Sequence, residues 1–256
     1  MNFLIYGVDV HKLLHHDFKG ELPTMYEIVA MTQGDVTGDG ISDTVYVMGF
    51  RESDVSIIRK MSLVINDGAT NLLTNIYLEE DMGYDPGLFL GDFTGDGVSD
   101  IFLNIPSGGS GATSYNYIYS FVNQQARLLF DSNVYNAEYS YTVTYQDDYK
   151  VEVVSEKNQA RYMIDLSLRD SEYLNEIYYE DGTLKEPITG WVDPVSGLYP
   201  IGYSSRSPVY LLLAYQQIAG RYHADSIGYV QNRLKWDGES FVLDFQYVGI
   251  FGSQID

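Results

Sequence analysis

Short runs of aromatic and β-branched residues, separated by turns rich in Gly, Asp and Asn, make up most of the hydrophobic pattern of this chain. The clearest run is Tyr139–Tyr145, whose sequence YSYTVTY alternates strictly between tyrosine or valine and serine or threonine. Such alternation predicts a strand with one buried face. Tyrosine and β-branched residues also pack well on a pleated sheet, so the pattern favours an all-β fold.

Two nearly identical acidic stretches divide this pattern into units. Gly34–Asp43 reads GDVTGDGISD and Gly91–Asp100 reads GDFTGDGVSD, and a strand pattern precedes and follows each of them. A hairpin pattern comes next in both units, the first with a turn at Asp67-Gly68. The spacing of the two stretches is about the length of one propeller blade, so the chain is predicted to contain β-repeats.

Four strand-rich units follow from this repeat. They span approximately residues 26–80, 85–135, 139–185 and 196–251, and the last two lack a complete acidic loop. A unit of three or four strands cannot bury both faces alone, so it must stack or close radially. We therefore predict one β-repeat domain over residues 1–256, a propeller-like array of about four units in which residues 1–25 complete the last one. An open or sandwich-like arrangement is the alternative.

Each acidic stretch has the donors of a calcium site. Calcium takes six to eight oxygen ligands, which a loop with oxygen-bearing side chains on alternate residues can supply. Positions 1, 3, 5 and 9 are Asp or Thr, position 7 offers a backbone carbonyl, and glycine at position 6 permits a sharp turn. Two Ca²⁺ ions are therefore predicted, with the ligands Asp35, Thr37, Asp39, Ile41 and Asp43 in the first loop and Asp92, Thr94, Asp96, Val98 and Asp100 in the second.

The loops are not EF-hands, because an EF-hand needs a bidentate Glu at position 12 and flanking helices. Position 12 is Tyr46 in one loop and Leu103 in the other, each within a strand pattern. The loop, its Gly-Asp opening, its period and the strand after it resemble the FG-GAP and VCBS calcium-binding repeats of integrin-type propellers and bacterial surface proteins. That resemblance covers the two ten-residue loops, and with their strands roughly residues 26–130. It implies calcium with a mainly structural role, although Thr37 and Thr94 stand where the family usually has Asp or Asn.

The formal charge of −21, from 36 acidic and 15 basic residues, argues against nucleic acids and anionic membranes as partners, because both need clustered Lys and Arg. The absence of cysteine excludes disulfides, thiolate zinc sites and Cys nucleophiles. No apolar run approaches the roughly 18–20 residues of a membrane helix, and the N-terminal segment lacks the pattern of a signal peptide. Cationic partners or metal ions fit this charge better.

Other candidate motifs are weaker. His11 and His15 have the spacing of a helical zinc pair, but Lys12 stands where the metalloprotease motif needs Glu. Gly108–Ala112 approaches the nucleophile-elbow pattern, which requires Gly in place of Ala112. His223 has Asp225 nearby, but no nucleophile accompanies the pair. No catalytic or cofactor-binding residues are therefore predicted.

The leading hypothesis is a non-enzymatic, calcium-binding β-repeat protein that serves as an adhesion or interaction module at the surface or outside of a bacterial cell. Its ligand would be a protein or a glycan that the sequence does not identify. Extracellular calcium modules bind at roughly 10⁻⁴–10⁻³ M, which fits an external location. Two alternatives stay open: a calcium-stabilised secreted hydrolase of carbohydrates or phosphoesters, and a lectin in which exposed Tyr or Trp191 and Trp236 line a groove.

Overall fold

A computed structural model describes residues 4–5, 8–9, 26–51, 55–109, 111–204 and 207–252. The fold is all-β, with about 56% strand and antiparallel sheets, which confirms the predicted class. In chain order the strands are β1 (Leu4–Ile5), β2 (Val8–Asp9), β3 (Tyr26–Gly34), β4 (Asp43–Arg51), β5 (Ile58–Asn66), β6 (Leu73–Tyr77), β7 (Gly87–Gly91), β8 (Asp100–Pro106), β9 (Ser114–Ser120), β10 (Arg127–Asp131), β11 (Tyr141–Gln146), β12 (Lys150–Ser155), β13 (Ala160–Asp165), β14 (Thr189–Ser204), β15 (Ser207–Ala219), β16 (Ser226–Trp236) and β17 (Phe241–Gly249).

Two consecutive four-stranded meanders form the first half of the chain. The first has the strand order β3-β4-β5-β6, and the second pairs its strands in the order β7-β8-β9-β10. In each meander an acidic loop connects the first two strands, and the last ladder pair before the loop is Gly34 with Asp43 or Gly91 with Asp100. The two loops therefore occupy equivalent places in two similar sheets.

The second half differs from the prediction of two further separate units. Its strands form one seven-stranded, barrel-like sheet that is nearly closed, in the order β13-β12-β11-β14-β15-β16-β17. The third and fourth units merge because β11 pairs with β14 at Val143 and Gly190. A Cβ on Gly190 would lie 2.3 Å from the carbonyl oxygen of Ala219, so glycine permits this close approach. At the other side, the hydroxyl of Tyr162 on β13 donates to Gln246 Oε1 on β17 at 3.1 Å, which links the two edge strands.

The second meander lies between two hydrophobic cores. Alternate residues of β8 point to opposite faces: Ile101 and Leu103 belong to the core shared with the first meander, and Phe102 belongs to the core shared with the seven-stranded sheet. Strands buried on both faces read as continuous apolar runs, which is the pattern of IFLNI in this strand. The second meander therefore packs against the first meander on one face and against the seven-stranded sheet on the other.

In the described part of the chain, two seven-residue helices and one 3-10 turn (Val122–Gln124) interrupt the strands. Helix α1, Ser132–Glu138, was not predicted, and its N-cap is Asp131. It places the ring of Tyr135 at 4.5 Å from that of Tyr139. Helix α2 spans Ser171–Ile177, and its N-cap is Asp170, whose side chain accepts from the amide of Tyr173.

Several sequence expectations fall largely outside the described residues. Of residues 1–25 only the β1–β2 pair is described, so their role in the last unit stays a prediction, and His11 and His15 lie outside the described part. Ser110, inside the segment that approaches a nucleophile elbow, is also outside it. Within the described residues, no helix has the length and apolar character needed to cross a membrane.

Candidate functional site

The first acidic loop is organised by hydrogen bonds from backbone amides to its aspartates. Asp35 accepts from the amides of Gly38 at 2.7 Å and Gly40 at 2.8 Å. Asp39, which is exposed, accepts from the amide of Ile41 at 2.8 Å. Gly40 at position 6 has a φ of 83°, in the left-handed region that favours glycine. The local sequence therefore specifies a tight loop whose carboxylates face its own backbone.

Asp43 at the end of this loop is fully buried and acts as an anchor. Its Oδ2 accepts from the amides of Val36 at 2.9 Å and Thr37 at 3.1 Å, and its Oδ1 accepts from the amide of Gly68 at 2.9 Å. A Cβ on Gly68 would lie 2.2 Å from the carbonyl oxygen of Ser42, so only glycine allows this approach. Asp43 thus joins the acidic loop to the hairpin turn between β5 and β6.

The second loop repeats this arrangement. Asp92 accepts from the amides of Gly95 and Gly97 at 2.6 and 3.0 Å, and Asp96 from the amide of Val98 at 2.9 Å. Asp100, 1% exposed, accepts from the amides of Phe93 at 2.9 Å and Thr94 at 3.3 Å.

One buried side-chain atom of the second loop lacks a hydrogen-bond partner. The hydroxyl of Thr94 is buried without a hydrogen-bond partner. An unpaired buried hydroxyl is costly, and a cation would remove that cost. In the first loop the hydroxyl of Thr37 is 3.4 Å from Asp35 Oδ1, a long contact that contributes little.

The two loops lie next to each other, and the second contacts the C-terminal sheet in the same way. The amide of Ser99 donates to the carbonyl of Asp35 at 3.3 Å, and the amide of Tyr210 donates to the carbonyl of Asp92 at 2.8 Å. Tyr210 thus makes the contact to the second loop that Ser99 makes to the first. By this correspondence Gly202–Tyr210 aligns in sequence with Gly91–Ser99, but it lacks the aspartates. Each loop is thus hydrogen-bonded to the following repeat.

The ten predicted ligands occur in two separate groups, as expected, but their carboxylates do not converge on one point. Among the described residues, no group of three or more His, Cys, Asp or Glu side chains is placed to hold a metal ion. Asp35 and Asp43 have both carboxylate oxygens engaged by amides. The donor types are the hard oxygens that calcium prefers, so the calcium sites stay a prediction that concerns mainly Asp39, Asp96 and Thr94.

The pKa of Asp100 predicts a pH effect on the metal-free protein. Burial raises this pKa from 3.8 to about 6, the amide of Phe93 opposes the rise, and the charges of Asp96 and Asp92 add to it. Between these two pH values the native state binds more protons than the unfolded state. The contribution of Asp100 to the free energy of unfolding therefore falls as the pH rises from about 4 to about 6, by roughly 3 kcal/mol.

Asn at position 100 keeps an acceptor oxygen and does not titrate. In the presence of chelator, we expect Asp100→Asn to match the wild type near pH 4 and to be more stable by roughly 2–3 kcal/mol at pH 7. Urea unfolding of both proteins at several pH values measures this difference. A difference that does not change with pH would contradict the assignment.

A polar cluster that sequence reasoning missed lies where β14 begins and β15 ends. His223 Nδ1 is 3.0 Å from Asp193 Oδ1, and Asp193 is buried. Trp191 Nε1 donates to the same oxygen at 2.8 Å. The partner of His223 is therefore Asp193, whereas Asp225, its neighbour in sequence, accepts from the amide of Arg221. Thirty residues separate Asp193 from His223, and no local pattern links them.

The two tryptophans do not line one groove. Trp191 pairs with Ala219 near one end of β15, and Trp236 pairs with Phe241 at the opposite end of β16. Trp236 is covered by the guanidinium of Arg127, 5.5 Å from its ring centre. A lectin groove lined by both tryptophans is therefore not formed.

Comparison with known proteins corrects the family assignment. The YybI C-terminal domain model matches residues 139–249, a stretch that coincides with the seven-stranded sheet. The protein YybI of Bacillus subtilis (strain 168) is 49% identical over 228 residues, which cover 89% of this chain and 87% of YybI. No FG-GAP or VCBS family matches, so the predicted membership of those repeat families is wrong. No solved structure matches this chain.

The mistake has a physical origin. In both loops the run of Asp and Gly forms a tight turn between two strands, with backbone amides donating to the aspartates. The same ten residues therefore report local loop geometry and carry little information about ancestry.

Proposed function

For this chain, which belongs to the YybI family, we propose a calcium-stabilised interaction protein in which the two acidic loops each bind Ca²⁺. The observation that carries the proposal is the second loop, where three aspartates and the unpartnered hydroxyl of Thr94 occur within nine residues. A bound cation would offset the repulsion among these carboxylates. Asp39 and Asp96 are the exposed carboxylates best able to contribute a ligand.

The proposed role of the ion is structural. Each loop is hydrogen-bonded to the next repeat through the carbonyl of Asp35 or Asp92, so a stiffened loop would hold consecutive sheets together. In the same proposal the two meanders and β14–β17 are successive repeats of a propeller-like array, since β3 contacts β7 and β7 contacts β15. Calcium supplies positive charge to the loop, and the protein's own residues supply the contacts between sheets.

The proposed location is the cell surface or the exterior, where millimolar calcium would fill sites of modest affinity. The acidic charge of −21 would keep such a protein soluble and away from anionic polymers.

Calcium is expected to raise the melting temperature. One ion at a hundred times its dissociation constant stabilises the native state by about 2.7 kcal/mol, which corresponds to roughly 5–10 °C for a chain of this size. Thermal unfolding in 5 mM CaCl₂ and in EGTA measures the shift, and elemental analysis of dialysed protein measures the stoichiometry.

Asp39→Ala and Asp96→Ala should each remove the contribution of one ion, which is about half of the total calcium-dependent shift from the two loops. Glu180→Ala is the matched control, because it removes one exposed carboxylate outside the loops and should leave the shift unchanged. Equal melting temperatures of the wild type in calcium and in EGTA, with no metal bound, would disprove the calcium part of the proposal.

A further inference from the structure

Six aromatic side chains gather on the outer face of the C-terminal strands β14–β17. Tyr199 is 54% exposed, Phe245 53%, Tyr247 37% and Phe251 55%, while two more tyrosines between them are half-buried. Large exposed apolar patches on soluble proteins mark sites of interaction. We call this surface the aromatic face, and its members are Tyr199, Tyr215, Tyr229, Phe245, Tyr247 and Phe251.

Strand register places these rings on one side of the sheet. Tyr215 pairs with Gly197, which is two residues from Tyr199 and therefore on the same face of the sheet. The ring centres then follow one another across the sheet, at 5.6 Å from Tyr199 to Tyr215, 6.3 Å from Tyr215 to Tyr229 and 5.9 Å from Tyr229 to Phe251. The result is a continuous row of rings that crosses the strands.

Two glycines keep this row shallow. A Cβ on Gly197 would lie 2.7 Å from the ring of Tyr199, and a Cβ on Gly249 would lie 2.6 Å from the side-chain amide of Gln231. The ring of Tyr199 and the amide of Gln231 therefore lie flat over neighbouring backbone.

Uncharged amides and one polar corner accompany the rings. Gln231 pairs with Tyr247, and Gln217 pairs with Tyr229 on the same face. Gln217 Nε2 donates to the carbonyl of His223 at 2.7 Å, which connects the row to the His223–Asp193 pair. At that corner the His223 ring is 5.0 Å from the ring of Trp191. Hydrogen-bonding groups are thus distributed along an aromatic row.

The charges at the margin of the aromatic face are already paired. Arg233 and Lys235 both contact Asp244, at 2.6 and 3.3 Å. Arg233 pairs with Phe245, and its guanidinium lies 5.9 Å from the centre of that ring, so this cation lies on the aromatic face with its charge offset by Asp244. The surface is therefore complementary to an uncharged ligand with apolar faces and many hydroxyl groups.

We propose that the aromatic face binds a neutral polysaccharide, and this inference rests on the interaction role proposed above. The faces of sugar rings carry C–H groups that pack against aromatic rings, while their hydroxyls exchange hydrogen bonds with amides such as those of Gln217 and Gln231. The net charge of −21 disfavours an anionic polymer, because like charges repel. The same charge disfavours a second copy of this chain as the occupant.

The test is binding of the full chain to neutral polysaccharides. Microcrystalline cellulose and chitin are used in pull-down assays and soluble starch in affinity electrophoresis, with polygalacturonate as the anionic probe. We expect binding to at least one neutral polymer and none to polygalacturonate. The double substitution Tyr199→Ala, Tyr247→Ala should weaken binding by about tenfold or more, since each ring contributes by packing.

Tyr77→Ala is the matched control, because Tyr77 is 63% exposed on β6 of the first meander and should leave binding unchanged. Circular dichroism and thermal unfolding confirm that each variant is folded. Absence of binding to every neutral polymer, or full binding by the double variant, would overturn the inference. Dimerisation in sedimentation experiments that the double variant abolishes, without polysaccharide binding, would instead assign the face to a second copy.

The outcome is separable from that of the calcium experiment. Folded wild-type protein is assayed in both CaCl₂ and EGTA. Binding that depends on Tyr199 and Tyr247 but not on calcium would support the aromatic face and leave the calcium proposal to its own test. Stabilisation by calcium without polysaccharide binding would support the calcium proposal and overturn the inference about the aromatic face.

Discussion

Asp43→Ala is expected to lower the free energy of unfolding by about 3–5 kcal/mol, in chelator as well as in calcium. The buried carboxylate accepts from the amides of Val36, Thr37 and Gly68. Hydrogen bonds to a charged group contribute about 1.5–3 kcal/mol each, and amides left buried without a partner cost free energy. The effects overlap, so the expected total is smaller than their sum. Urea unfolding monitored by tyrosine fluorescence measures it.

The contrast with Asp39→Ala makes this prediction specific. Asp39 is exposed and accepts from one amide, that of Ile41, so its loss should cost less than about 1 kcal/mol in chelator. If both substitutions destabilise the metal-free protein equally, then Asp43 is not the anchor that the hydrogen bonds indicate. If neither does so without calcium, the two residues act only through the metal.

Asn232→Leu is expected to destabilise the protein by about 2–4 kcal/mol. Asn232 is fully buried. Its Nδ2 donates to the hydroxyls of Tyr135 at 2.5 Å and Tyr141 at 3.0 Å, and its Oδ1 accepts from Gln246 Nε2 at 2.7 Å. Leucine has similar volume but leaves these groups with fewer partners inside the barrel-like sheet, where each unsatisfied group costs about 1–3 kcal/mol.

Asn75→Leu on the exposed side of β6 is the control, and a surface substitution of this kind should change stability by less than about 0.5 kcal/mol. Both variants are compared with the wild type in urea. A neutral or stabilising Asn232→Leu would show that an apolar core serves equally well at this position. In that case the buried network would not contribute to stability.

The strands were predictable because their signal is local. Alternation in Tyr139–Tyr145 places Val143 and Tyr145 inward, and both are buried. The acidic loops were predictable for the same reason, since Gly40 and Gly97 both have the left-handed φ that a turn at position 6 requires. In each case the residues that determine the local structure are close together in the sequence.

The separate roles of the aspartates were not predictable. Position 9 looked like one more ligand, yet Asp43 reaches Gly68, which is 25 residues later and belongs to another turn. Similarly, His223 seemed to have Asp225 as its partner, but the antiparallel register of β14 and β15 brings Asp193 to it. These contacts depend on which strands become neighbours, and sequence spacing does not carry that information.

By itself, the sequence determined the all-β class, the position of two tight acidic loops and the exclusion of cysteine chemistry, because composition, alternation and turn residues act within single elements. Only the tertiary structure decided that the last two units share one barrel-like sheet. That outcome follows from the close approach of β11 to β14 at Gly190 and from the contact of Tyr162 with Gln246. The tertiary structure also determined the aromatic face, because the register between neighbouring strands aligns rings that are far apart in the chain.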